Sequence, residues 1–239
     1  MNLHEIKELL KKSEKSVFKI NEISRITGIK KNIVSVYVNR MLGKKLIFKV
    51  ERNKVSLTDD PFIISSQLIF PSYISFISAL YIYGYISQTI DKIYVVSPKK
   101  RKKSNFLDNE INFIKFDPKM MFGYKRISKS DGFIFIADLE KTVIDCLYKQ
   151  SYCRLNYLIP VLKDCNIEKI KEYAKRLNIE SINRRLGYLF DLIEKKHSFK
   201  RESNTTYKLN ATIKKKGKFN KKWYLYINEE LGGKDDIQK

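Results

Sequence analysis

Residues 61–90 read PFIISSQLIFPSYISFISALYIYGYISQTI, and no charged residue stands between Asp60 and Asp91. The fold turns on whether this run crosses a membrane or lies inside a core. Its length permits a span, since about 20 predominantly apolar residues are enough. The basic run Lys99, Lys100, Arg101, Lys102 and Lys103 also follows it as a positive flank would. Its composition argues the other way. Ser65, Ser66, Gln67, Ser72, Ser75, Ser78, Ser87, Gln88 and Thr89 interrupt it, and Pro71 removes a backbone donor in mid-run. The reading is therefore no membrane span. A short first piece is expected up to Pro71, then a buried helix from Ser72 to Tyr83, with Leu80 and Ile82 among its apolar positions, closed by Gly84.

Downstream, Ile93–Ser97 is a compact apolar strand stopped by Pro98, and EINFIKFDP is a second strand ended by Pro118. GFIFIADLEKTVIDCLYK is a strand that hands over to a helix at Asp138, a natural N-cap, with Glu140 suited to the positive end of the helix dipole. A helix, several short strands and another helix make an α+β arrangement. From Leu155 to Lys196 two or three amphipathic helices are expected, with Pro160 near a helix start.

Upstream, Leu3, Ile6, Leu9 and Leu10 mark an amphipathic opening helix, and Val17–Ile20 is extended in character. Asn21 is placed to cap a second helix whose Ile23 and Ile26 face inward, with Gly28 supplying the turn. A third helix follows, its inward stripe Val34, Val38 and Met41 with Ile33 and Tyr37 beside it. Its other side holds Lys31, Asn32, Ser35, Val36, Asn39 and Arg40. Amide and cationic side chains presented on one helix face suit base edges in a major groove, where asparagine pairs adenine and arginine pairs guanine. The segment resembles the helix-turn-helix of winged-helix repressors, departing from it at Lys30, where a capping Ser or Thr is usual, and at Lys45, in place of an exit glycine. Leu46–Val50 and Lys54–Leu57 read as the two strands of the wing, with Arg52 and Lys54 at a tip placed to approach phosphates or a minor groove.

The net charge of +22, from 48 basic and 26 acidic residues, is spread along the chain and favours a polyanionic partner. Cys146, Cys153 and Cys165 form no CxxC pair and read as buried or free thiols of a reducing compartment. The opening residues lack the apolar core of a secretion signal, so the expected location is the cytoplasm. No catalytic, cofactor or metal set is expected. His4 and His197 are isolated and read as surface residues, and the glycines form no phosphate-cradling loop. Asp138, Glu140, Lys141 and Asp145 could suggest a metal-dependent nuclease, but Glu140 and Lys141 are adjacent on a helix and do not converge. Basic residues of the Lys99–Lys103 run and of IKKKGKFNKKW (Lys214, Lys215, Lys216, Lys218, Lys221 and Lys222) are candidate auxiliary phosphate contacts. In the second run Phe219 and Trp223 interleave with the lysines. The final EELGGKDDIQK reads as a frayed end.

SYISFISALYIYGYI, KIYVVS, MMFGYKRI and IFIADLEKTVIDCLY, with INRRLGYLFDLIEK around Gly187 and KKWYLYIN around Trp223, together resemble the AbiEi-type antitoxins, transcriptional regulators of type IV abortive-infection toxin–antitoxin systems. The likeness runs from about Ile20 to Asn228. It implies a winged helix-turn-helix DNA-binding domain at residues 1–60 and an α+β antitoxin-type domain at residues 61–239, strand-rich over 61–150, helical over 151–200, with terminal strands over 203–228. It also implies repression of the chain's own operon and counteraction of a nucleotidyltransferase toxin, direct contact left open, with operator DNA of inverted-repeat form as partner, a possible homodimer upon it, and no cofactor. The alternative is a regulator of the same build that governs other genes and neutralises no toxin.

Overall fold

A computed structural model describes residues 1–232. The expected frayed end lies outside the described residues from Gly233 onward. The protein is a mixed α/β chain that divides into two compact units, the first formed by residues 1–74, 91–121 and 125–136, the second by residues 75–90, 122–124 and 137 onward.

The first unit opens with α1 (Leu3–Lys12), β1 (Val17–Lys19), α2 (Ile20–Thr27), α3 (Lys31–Gly43), β2 (Phe48–Glu51) and β3 (Lys54–Ser56). Reciprocal bonds between Asn2 and Glu5 cap α1, and Gly28 turns the chain at φ 70 between α2 and α3. Lys19, not Asn21, is the N-cap of α2, and the Glu22 carboxylate accepts the Lys19 backbone N–H. Lys30 caps α3 without a side-chain hydrogen bond. The strands form an antiparallel sheet in the order β1-β3-β2. The helices and this sheet enclose Ile6, Leu10, Phe18, Ile23, Val34, Val38, Met41, Ile47 and Val55. Each such side chain contributes roughly 1.5–3 kcal/mol on burial. Ile26 and Ile33, expected inward or at the inward edge, are instead 38% and 45% exposed.

The same unit continues through α4 (Pro61–Gln67) and β4 (Tyr73–Ile74), then β5 (Lys92–Ser97), β6 (Ser104–Phe106), β7 (Asn109–Lys115) and all but one end residue each of β8 (Tyr124–Lys129) and β9 (Gly132–Ala137). These strands form a mixed sheet in the order β6-β7-β5-β4-β9-β8, parallel between β5 and β7 and antiparallel between β6 and β7. The expected boundary at residue 60 falls inside this unit, because polar bonds tie its early and late parts together. Gln67 accepts the Ser16 backbone N–H at 2.8 Å and donates to Phe133 O at 2.9 Å, and Lys129 pairs with Asp60 at 2.6 Å.

The uncharged run is more divided than its sequence suggests. Asp60 caps α4 through the Phe62 and Ile63 N–H groups, Pro61 takes the first turn, and Tyr73-Ile74 is a strand rather than part of a helix. The expected helix begins later, as α5 (Phe76–Ile82), before Gly84 at φ 81. Among the described residues no helix is long and apolar enough to cross a membrane.

Beyond α5 the second unit holds α6 (Leu139–Tyr148), α7 (Leu158–Asp164), α8 (Ile167–Leu177), α9 (Glu180–Leu192), β10 (Tyr207–Lys208), β11 (Lys218–Asn220) and β12 (Leu225–Ile227). Asp138 caps α6 through the Lys141 N–H at 2.8 Å, as its sequence implies. Pro160 sits in the first turn of α7, where its missing N–H costs nothing. The last strands form a sheet in the order β10-β12-β11. Trp223 is 2% exposed and lies over Gly187, where an added Cβ would come within 2.1 Å of the indole.

Candidate nucleic-acid interface

α3 separates its side chains into two faces. Val34, Val38 and Met41 are at most 4% exposed against the core, whereas Lys31, Asn32, Val36, Asn39 and Arg40 are exposed. Ser35 is half-buried and donates its hydroxyl to Lys31 O at 3.1 Å. The amides of Asn32 and Asn39 and the guanidinium of Arg40 make no side-chain hydrogen bond or ion pair among the described residues. The buried stripe therefore orients a face whose polar groups are available to a ligand.

At the β2–β3 turn, Arg52 and Asn53 are exposed and Asn53 takes φ 62. Lys54 differs from its expected place at the tip. Its ammonium is directed inward, donating to Leu68 O at 2.9 Å and pairing with Glu51 at 3.3 Å, with 15% of the side chain exposed. Arg101 pairs with the same Glu51 and lies 4.7 Å over the Phe113 ring. Burial raises the Glu51 carboxyl, but the hydrogen bond and charge of Arg101, with the charge of Lys54, outweigh it and hold the group below its ordinary value. Burial lowers the Lys54 ammonium, assisted by the Arg101 charge and opposed by Glu51.

Of the first basic run, then, Arg101 is anchored and Lys103 pairs with Glu110, while Lys99, Lys100 and Lys102 are exposed. A cleft of about 420 Å³ brings Lys99 and Arg101 together with Lys54 and adds Lys15 and Lys19. The last two were not singled out from sequence, although the outward third position of β1 marks Lys19 as exposed. In the second unit Lys214, Lys215, Lys216, Lys218 and Lys221 are exposed, and Lys216 stands 4.3 Å over the Tyr226 ring. Lys222 is held by Asp191 at 2.6 Å. Asn228 donates to Asn210 O and Lys215 O and fixes the loop between. Of the two interleaved aromatics Phe219 is 43% exposed, but Trp223 belongs to the core and donates its indole N–H to Asp191 at 2.6 Å. His197, expected at the surface, has 8% of its side chain exposed, bonds Asp191 at 3.0 Å and packs among Phe190, Phe199 and Trp223.

The acidic residues around α6 are committed to neighbours. Asp138 accepts the Tyr173 hydroxyl at 2.8 Å and the Lys169 ammonium at 2.9 Å, while Glu140 accepts the Asn166 N–H at 2.8 Å and Lys169 at 3.1 Å. Burial and the nearby Asp138 charge push the Tyr83 phenol up to about 12. Lys141 and Asp145 form a fully buried pair to which Ser75 donates its hydroxyl at 2.8 Å. Among the described residues no group of three or more His, Cys, Asp or Glu side chains is arranged to hold a metal ion.

No family model matches the chain, and no curated protein matches it in sequence. Among solved structures it is similar to the crystal structure of the RV2827C protein from Mycobacterium tuberculosis, with a TM-score of 0.56 and 12% identity over 92% of this chain and 89% of that one. At that identity the likeness is one of fold.

Proposed function

We propose that this chain is a sequence-reading DNA-binding protein that represses its own operon and serves as the antitoxin of a type IV toxin–antitoxin system, opposing a nucleotidyltransferase toxin. The observation that carries the DNA reading is α3, which is pinned by three buried apolar residues on one face and offers two asparagines and an arginine on the other. The order helix, strand, helix, helix, strand, strand, with its three-stranded sheet, supports a winged helix-turn-helix, Arg52 standing at the wing tip. Lys19 and Lys99 at the cleft and the +22 net charge supply phosphate attraction. The antitoxin role rests on the resemblance to AbiEi-type antitoxins. A homodimer on an inverted repeat and a cytoplasmic location belong to the same reading.

Fluorescence anisotropy of the full chain on the DNA upstream of its own gene, beside a scrambled duplex across a salt series, tests it. Tighter binding to the upstream DNA that survives moderate salt supports a repressor. Equal and steeply salt-dependent binding to both would reduce the interaction to bulk charge. Co-expression with a nucleotidyltransferase encoded beside it tests the second role, and unrelieved toxicity would leave a DNA reader without antitoxin activity.

A further inference from the structure

Asn32, Val36 and Asn39 stand at i, i+4 and i+7 of α3 and so form one line along its exposed face. Val36 is 48% exposed, in the middle of that line. A single exposed apolar side chain is ordinary. This one is different in being flanked, one helical turn away on each side, by amides without partners among the described residues. The Ser35 hydroxyl is spent on Lys31 O, and Ile33 falls off the line. Asparagine matches the acceptor and donor of adenine N7 and N6, and an apolar branch matches the thymine C5 methyl. A G·C pair satisfies neither, since guanine presents two acceptors to the amide and cytosine carries no methyl. From Asn32 to Asn39 the helix rises about 10 Å, the length of roughly three base-pair steps.

We infer that the half-site read by α3 has a core of A·T pairs, with adenines met by Asn32 and Asn39 and a thymine methyl against Val36. The inference rests on the proposed DNA-binding role and names what that face reads. Lys31 and Arg40, at the margins of the line, serve phosphates or flanking pairs.

The test begins with selection of duplexes from a random library by the full chain, followed by anisotropy on the selected site and on copies altered one base at a time. Replacing the thymine by uracil removes only the methyl, and replacing adenine by 7-deazaadenine removes only the N7 acceptor. Wild-type protein is expected to weaken about 3–10-fold on the uracil duplex and about tenfold on a deaza duplex. Val36→Ala, which keeps only a shorter methyl, is expected to narrow the difference between thymine and uracil duplexes, and Asn39→Ala to lose its sensitivity to one deaza position. The inference is overturned by a selected core rich in G·C, by indifference of the wild type to the methyl, or by a Val36→Ala protein that senses it as strongly as the wild type does. Enrichment of no duplex at all would overturn the DNA-binding role as well, so the two failures are told apart.

Discussion

At the scale of single residues, two positions expose opposing terms large enough to measure. Lys45 adopts φ 54 in the turn after α3. A left-handed side-chained residue costs roughly 1–2 kcal/mol, against roughly 0.5–1 kcal/mol of extra chain entropy for glycine. Lys45→Gly is therefore expected to gain about 0.5 kcal/mol, seen as a higher urea midpoint; a fall would mean that the lysine stem packs usefully. Asp191 is the second position, accepting from Lys222, Trp223 and His197. Burial raises its carboxyl, but the hydrogen bonds from Lys222, Trp223 and His197 outweigh it, leaving the folded value below the ordinary 3.8. A depressed acid stabilises the fold above its unfolded value, and that stability is lost as pH falls through the folded one. Emission from Trp223, the sole tryptophan, is expected to change with a midpoint below pH 3.8. A midpoint above that value would show that these partners do not hold the carboxylate.

At the scale of elements, α6 is the most buried helix to carry charge. Lys141 and Asp145, one turn apart, are both at 0% exposure. Removing one member of a buried ion pair typically costs 3–5 kcal/mol, whereas replacing both with apolar groups of similar volume is often neutral. Asp145→Ala is expected to destabilise by about that amount, while Lys141→Met with Asp145→Leu stays near the wild type in urea unfolding. A double variant as weak as the single one would point to Ser75, which donates to Asp145, as the group left costly. α3 shows the contrasting economy, a helix without a side-chain cap that is held mainly by three buried residues.

At the scale of the whole molecule, the proposed DNA-binding role assigns attraction and discrimination to different residues. Lys215 and Lys216 lie on an exposed loop pinned by Asn228, whereas Asn39 lies on the α3 face. Replacing the two lysines with alanine is expected to weaken operator and random duplexes about equally and to reduce the salt slope by roughly 1–2. Asn39→Ala should cost operator binding about tenfold and spare the random duplex. Equal losses from both changes would place recognition elsewhere than α3.

Periodicity and capping alone marked α1, the two faces of α3, the Asp138 start of α6 and the turns at Gly28 and Gly84, because such features depend on neighbours within about a turn of the chain. The same local logic made the α3 face legible as a candidate site. The uncharged run was legible as largely buried but not as a helix, a strand and another helix, since residues 63–66 and 72–76 are runs of consecutive buried residues and carry no alternation for periodicity to reveal. β8, an edge strand with half of its residues exposed and none fully buried, gave no alternation of apolar residues to read. The inward turn of Lys54, the burial of Trp223 and His197, and the joining of residues 1–60 to the larger sheet were decided by tertiary structure. Each depends on a partner beyond the local turn, Leu68 for Lys54, Asp191 for Trp223 and His197, or Gln67 with Ser16 and Phe133, that only the folded chain brings within hydrogen-bonding reach.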